Sequence, residues 1–79
     1  MIASIVYRPE VTSRGIIVVW RAAPGQPETA LRARPQSMEE AESAIADAMR
    51  ADEAACTRLG LRFERLRGSI RGIAVLGAR

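Results

Sequence analysis

The sequence predicts an α+β fold in which a mainly antiparallel sheet carries one long amphipathic helix, in the order β-β-β-α-β-β. Three observations support this prediction. Two apolar, β-branched runs lie near the N-terminus, a capped amphipathic helix pattern occupies the middle of the chain, and two shorter alternating runs follow it. The 79 residues contain no internal repeat and no linker, so we expect a single domain over residues 1–79.

The first two strands are predicted from β-branched and aromatic composition. Residues 2–8 predict one strand, and Pro9 is expected to open a turn that ends near Arg14. Residues 15–21 predict a second strand that is apolar on both faces. The two faces consist of Ile16, Val18 and Trp20, and of Ile17 and Val19. Such a strand is covered on both sides or meets a second copy, so we expect Trp20 in the core and a candidate homodimer contact along residues 15–21.

The third strand and the helix follow a proline-rich loop. Residues 28–34 alternate weakly and predict a strand with Thr29, Leu31 and Ala33 facing inward and its arginines outward. Ser37 and the acid three residues later form a capping box that starts a helix, and Gly60 is a typical terminator. The predicted apolar stripe of this helix consists of Met38, Ala41, Ile45, Ala48, Met49, Cys56 and Leu59. About 33 Å long, this helix should cross the sheet diagonally or overhang it.

After the helix, residues 61–67 alternate and predict a fourth strand. Residues 70–76 predict a fifth strand, which Gly72 weakens.

Formal charge is sorted along the chain. Residues 1–36 carry a net charge of +3, residues 37–56 carry −5, and residues 57–79 carry +5. A compact fold of this sequence is therefore expected to show an acidic face and a basic face, and such polarity favours binding over chemistry.

Composition argues against several classes of function. All twelve basic residues are arginine, so the usual general base, the Schiff-base nucleophile and the commonest metal ligand are missing. The one cysteine, Cys56, lies on the apolar stripe of the helix and is expected to be buried and inert. We expect no catalytic residue, no cofactor and no metal site. A single cysteine and the absence of a signal-peptide pattern predict a cytoplasmic location, and no apolar stretch predicts a membrane span.

The sequence therefore predicts a non-enzymatic binding protein that acts through charged surfaces on a protein or nucleoprotein partner. The candidate basic contacts are Arg32, Arg34, Arg62, Arg65, Arg67 and Arg71. The candidate acidic contacts are Glu39, Glu40, Asp47, Asp52 and Glu53. The alternative is a sheet-based DNA- or RNA-binding module, in which the arginines track phosphates and Trp20 or Tyr7 stacks on a base.

Two resemblances bear on the partner. The segments Ala30-Leu31-Arg32-Ala33-Arg34 and Ser37-Met38-Glu39-Glu40-Ala41 resemble the basic strand and the capped helix start in the N-terminal arm-binding domain of tyrosine recombinases. In the order of its elements and in its length, the chain is similar to small inhibitors encoded by phages and mobile elements, including anti-CRISPR proteins. This second resemblance implies a stoichiometric inhibitor or modulator of nucleic-acid machinery. It transfers no residue role, because anti-CRISPR proteins share no common signature.

Overall fold

The computed structural model describes residues 4–67 and 74–78, and the side chains of residues 65–67 and 78 lie outside that description. It confirms an α+β class with the element order β-β-β-α-β-β. The elements are β1 (Ser4–Val11), β2 (Ile17–Ala22), β3 (Thr29–Ala30), α1 (Met38–Arg58), β4 (Phe63–Arg67) and β5 (Ala74–Ala78). The strands form one antiparallel sheet in the order β3-β2-β1-β5-β4, so β1 lies at its centre.

The predicted turn at Pro9 is wrong, because β1 continues through Pro9 to Val11. Pro9 lies opposite Val19 of β2. The carbonyl of Val19 accepts a hydrogen bond from the Leu31 amide at 2.8 Å, on the side away from β1. The N–H and C=O groups of one strand residue point to the same side, so both groups of Val19 point away from β1. The hydrogen-bond ladder between β1 and β2 therefore requires no N–H group from Pro9. The turn lies over residues 12–16, where Gly15 takes a positive φ of 76°.

The third strand is shorter than predicted and spans two residues, Thr29–Ala30. Leu31 donates the last hydrogen bond to β2 and packs against the core, as predicted. Thr29 and Ala33 were predicted to face inward, but both are exposed. Alanine and arginine in alternation offer little apolar area to hold a longer edge strand. The chain then leaves the sheet and runs to the start of α1.

Both ends of α1 agree with the predicted capping. The Ser37 hydroxyl accepts a hydrogen bond from the Glu40 amide at 3.1 Å, and the Glu40 carboxylate accepts one from the Gln36 amide. At the other end Gly60 takes a φ of 76°, its amide donates to the Thr57 carbonyl at 3.0 Å, and the next amide donates to the Cys56 carbonyl at 2.9 Å. This pair of bonds is a Schellman motif, which glycine favours because it lacks a Cβ.

The core lies between α1 and one face of the sheet. Its buried side chains are Ile5, Tyr7, Val19 and Leu76 from the sheet and Ala41, Ile45 and Met49 from α1. The middle of the predicted helical stripe is thus confirmed, but its ends are not: Met38 is 45% exposed and Leu59 is 75% exposed. A 21-residue helix is about 32 Å long and overhangs so small a sheet. Cys56 is half-buried, where full burial was predicted.

The fourth strand begins later than the alternation indicates, and the fifth extends beyond its predicted end at residue 76. β4 starts at Phe63, and Leu61 before it is 50% exposed. β5 covers Ala74–Ala78, with Leu76 in the core, and residues 70–73 of the predicted strand lie outside the described residues. β5 pairs with β1 on one side and with β4 on the other.

The N-cap gives a direct test of the helix start. We expect Ser37→Ala to lower the free energy of unfolding by about 1 kcal/mol, because the amide of Glu40 loses its acceptor. Urea denaturation followed by circular dichroism measures the change. Ser43→Ala, at an exposed position inside α1, is the matched control and should leave stability equal or slightly higher. Equal losses in the two variants would contradict the capping role.

Candidate binding surface

The sheet is covered on one side, since α1 packs on the face formed by Ile5, Tyr7 and Val19. Cross-strand pairing places Arg8 opposite Trp20 and Glu10 opposite Val18 on the other face. No helix among the described residues covers that side, which we call the open face. Trp20 is half-buried there, so its predicted place in the core is wrong. It shares a face with Val18 as expected, but α1 docks on the opposite one.

One end of the open face is a cluster of Arg8, Glu10, Trp20 and Glu28, the tryptophan cluster. The guanidinium carbon of Arg8 lies 5.7 Å from the centre of the Trp20 ring, within the range of a cation–π contact. The Trp20 indole donates to the Glu10 carboxylate at 2.9 Å, and Arg8 donates to Glu10 at 3.1 Å and to Glu28 at 3.0 Å. The ring therefore has one face and its only polar group already engaged.

Electrostatics keep Arg8 and Glu28 ionised. The hydrogen bonds that Arg8 donates to Glu28 and Glu10 raise its pKa above the ordinary value. The hydrogen bond from Arg8 lowers the pKa of Glu28. Two carboxylates face one guanidinium, so this end of the open face carries a net negative charge.

The other end of the open face is a groove beside the β1–β2 turn, the hairpin groove. Its lining residues are Thr12, Ser13, Arg14, Ile16, Val18 and Arg34. The two arginines come from separate segments, the turn and the loop before α1. Ile16 is 51% exposed, and Arg34 also lines an adjoining groove that reaches Gln36. Among the described residues, no carboxylate lines the hairpin groove and neither arginine has an ion pair.

On the covered side, a polar contact between Arg21, Tyr7 and Asp52 joins α1 to the sheet. Arg21 donates two hydrogen bonds of 2.9 Å to the two carboxylate oxygens of Asp52, and the hydroxyl of the buried Tyr7 donates to the same carboxylate. The side chains of Arg21 and Asp52 are 26% and 20% exposed. A bidentate pair at this depth is stronger than one on the surface because less water screens it.

The pKa values in this contact reflect its geometry. Burial raises the pKa of the Tyr7 hydroxyl, and the neighbouring Asp52 charge raises it further. Burial opposes ionisation of Asp52, but the hydrogen bonds from Arg21 and Tyr7 and the positive charge of Arg21 outweigh it and lower the pKa of Asp52. The hydrogen bonding of Arg21 to the Asp52 carboxylate raises the pKa of Arg21. All three groups are held in one protonation state near neutral pH, which suits a structural contact.

The predicted acidic contacts lie on α1 in different environments. Glu39 is exposed in the first turn, and Glu40 accepts the Gln36 amide. Asp47 is exposed and pairs with Arg50 one turn later. Asp52 is engaged with the sheet, and Glu53 is half-buried beside a groove at the far end of α1. Their role as partner contacts stays a prediction.

The predicted basic contacts that fall within the described residues do not gather on one stripe of strands. Arg32 and Arg34 lie on the loop after β3, and Arg62 precedes β4. Arg62 shares its groove with Glu53, so one predicted basic contact and one predicted acidic contact lie together. Arg65 and Arg67 are on β4, as predicted, with side chains outside the described part, and Arg71 lies outside the described residues.

Sequence reasoning missed the Arg21–Asp52 pair, although the pattern contained a signal for it. The alternation that places Ile17 and Val19 on one face of β2 places Arg21 there too. On α1, Asp52 follows Ala48 by four residues and so falls on the apolar stripe. A charged residue on each of two packing faces indicates an ion pair between them. Arg14 and the tryptophan cluster carried no comparable local signal.

Acid should weaken the fold through Asp52. Its pKa is lower in the folded state than in the unfolded chain, so its contribution is full above the unfolded pKa of about 3.9 and is lost as the pH falls through the folded pKa. We expect Asp52→Asn to cost about 2 kcal/mol at pH 7 and to flatten the loss of stability below pH ~4. Urea denaturation at several pH values measures both effects.

Asp47→Asn is the matched control for this experiment. Its ion pair with Arg50 is exposed, so this variant should stay within about 0.5 kcal/mol of the wild type and keep the loss of stability in acid. An Asp52→Asn variant with an unaltered acid profile would contradict the role of the contact.

Within the described ranges, no helix meets the length and hydropathy that a bilayer span requires. The same residues contain no group of three His, Cys, Asp or Glu side chains placed to hold a metal ion. Comparison of the chain with protein-family models, with curated proteins and with solved structures finds no match.

Proposed function

We propose that this chain is a non-enzymatic binding protein that acts stoichiometrically, through the open face of its sheet, on a protein of nucleic-acid machinery. The observation that carries the proposal is the one-sided cover of the sheet. The described residues contain one helix, and it packs on the face of Tyr7 and Val19. The face of Ile16, Val18 and Trp20 is left in contact with solvent.

The open face has the composition of a protein-binding surface. Aromatic and arginine side chains are enriched at interfaces, and here Arg8 stacks on Trp20 at one end of the open face. The hydrogen bonds that these two side chains donate to Glu28 and Glu10 hold them in place before a partner arrives. Preorganised side chains lose less conformational entropy on binding, so they supply more net affinity.

Charge supports the class of partner. Residues 38–58 of α1 include six acids against two arginines. Of these acids, Glu39 and Glu42 are exposed and have no ion pair among the described residues. A protein site that holds nucleic acid is basic, so the acidic helix on the other side of the sheet attracts it over a longer range and steers the approach.

A charge placed on the open face tests the proposal. We expect Ile16→Asp to reduce capture of a partner from a lysate of the cells that naturally make the protein at least tenfold, because the new carboxylate must be desolvated at the interface. Quantitative mass spectrometry of the captured proteins gives the readout.

Leu61→Asp is the matched control, since Leu61 is 50% exposed and Ile16 is 51% exposed, and Leu61 lies beyond the far end of α1. It should retain capture within about twofold of the wild type. Circular dichroism confirms folding of both variants. Equal losses in the two variants, or none in either, would contradict binding through the open face.

Direct nucleic-acid binding is the second candidate function, and one observation favours it. Arg14, Arg32 and Arg34 are exposed and have no ion pair among the described residues, so phosphates could approach them. Against it, the carboxylates of Glu10 and Glu28 stand beside the one tryptophan that a base could stack on.

Salt dependence separates the two functions. The protein is titrated with labelled single-stranded and duplex DNA at 50 and 200 mM salt, while Trp20 fluorescence reports on the open face. We expect no dissociation constant below ~10 µM at ~200 mM salt. Tighter binding with a steep dependence on salt would favour the nucleic-acid function instead. In that case the slope of log K against log salt should fall by about one for each phosphate-contacting arginine that is removed.

A further inference from the structure

We propose that the hairpin groove binds an extended acidic segment of a protein partner, with carboxylates on Arg14 and Arg34 and apolar side chains on Ile16 and Val18. This inference rests on the proposed function and names the chemistry that the open face recognises.

The groove has a positive charge with no counter-charge among its lining residues. Arg14 lies on the turn and Arg34 on the loop before α1, and the fold brings both to one groove. Glu10 of the open face lies opposite Val18, but its carboxylate accepts hydrogen bonds from Trp20 and Arg8. An anion placed between Arg14 and Arg34 would relieve their mutual repulsion and accept hydrogen bonds from both.

Hydroxyl groups and an aliphatic floor complete the groove. Thr12 and Ser13 line its turn side, and the Thr12 hydroxyl accepts the Ile16 amide at 3.2 Å. Ile16 and Val18 form the floor, and neither is fully buried. A ligand that is only an anion would leave this aliphatic area in water. A ligand that carries an apolar side chain next to its carboxylate covers both parts.

The spacing of the floor suits an extended peptide. Ile16, Val18 and Trp20 alternate along one face of the chain, so neighbours in this row are about 6.7 Å apart. Alternate side chains of an extended segment have the same spacing. About five residues of such a segment reach from the hairpin groove to Trp20.

The tryptophan cluster argues for a peptide over a nucleic-acid strand. A strand that followed the row from Arg14 toward Trp20 would bring its next phosphates to the carboxylates of Glu10 and Glu28. One face of the indole is also occupied by Arg8. A protein segment can carry negative charge at one end alone, which matches a surface that is positive at the hairpin groove and negative at the tryptophan cluster.

A random peptide library tests this inference on the full chain. The protein is immobilised through a terminal tag and panned against phage-displayed nonapeptides, and the enriched pool is sequenced. We expect Asp and Glu to be enriched next to apolar residues. The most enriched peptide is then synthesised with a fluorescent label, and its dissociation constant is measured by anisotropy.

Charge reversal assigns the binding to the groove. We expect the double variant Arg14→Glu, Arg34→Glu to bind this peptide at least tenfold more weakly. The double variant Arg50→Glu, Arg58→Glu is the matched control, because it changes the net charge equally at two exposed arginines of α1 that are not candidate contacts. It should lose less than threefold. Thermal unfolding confirms that both variants remain folded.

Several outcomes would overturn the inference. They are an enriched pool without an acidic excess, no enrichment at all, or equal losses in the two double variants. Tighter binding of a single-stranded DNA 12-mer that depends on Arg14 and Arg34 would make nucleic acid the occupant. Self-association abolished by the Arg14, Arg34 reversal, seen by light scattering, would make a second copy the occupant.

Failure here is separable from failure of the proposed function. If Ile16→Asp loses the captured partner while the library shows no acidic preference, the open face binds a partner of other chemistry. If Ile16→Asp and Leu61→Asp behave alike, the open face is not the binding surface.

Discussion

The apolar stripe of α1 is buried against one face of a five-stranded sheet, and this contact decides which side chains of the sheet are buried and which face solvent. A sheet has two faces, and the described chain supplies one helix to cover them. Tyr7 and Val19 consequently become fully buried, while Val18 and Trp20, the chain neighbours of Val19, stay partly exposed to solvent. The same alternation that builds the core therefore builds the surface that we propose for binding.

The contact between α1 and the sheet is not wholly apolar. Asp52 lies on the otherwise apolar stripe of the helix and accepts hydrogen bonds from Arg21 and Tyr7. A bidentate bond has directional requirements that aliphatic packing lacks, so it restrains the position of α1 along β2. It is also the point where the acidic middle of the chain meets the basic N-terminal part. Arg8 pairs with Glu10 and Glu28 on the sheet side, and Arg50 pairs with Asp47 on α1, so these ion pairs stay within one layer.

The separation of charge along the sequence therefore survives folding in part. The acids of α1 stay on the helix side, and Arg14 and Arg34 converge on the hairpin groove. At the far end of α1, however, Arg62 and Glu53 line the same groove and mix the two signs. The open face has its own polarity, since positive charge at the hairpin groove gives way to the carboxylates of the tryptophan cluster. A partner that binds this surface must have a complementary charge that changes sign over a few residues.

Local patterns were sufficient for the elements of this fold. The caps of α1, the succession β-β-β-α-β-β along the chain and the apolar stripe around Ile45 follow from side chains that are close in sequence. The preferences of these side chains act over one helical turn or one strand. Strand ends were less accurate, because Pro9 is tolerated in β1 only where Val19 bonds to Leu31 on the other side. That condition depends on a third strand.

The placement of functional side chains depends on distant parts of the chain. Which face of β2 is open was set by where α1 docks, so the pattern of Trp20 could not distinguish core from surface. The hairpin groove unites Arg14 with Arg34, twenty positions later, and Asp52 reaches Arg21 across thirty-one positions. Residue order encodes the period of each element, but contacts between elements arise when helix and sheet pack, and that packing placed these charges together.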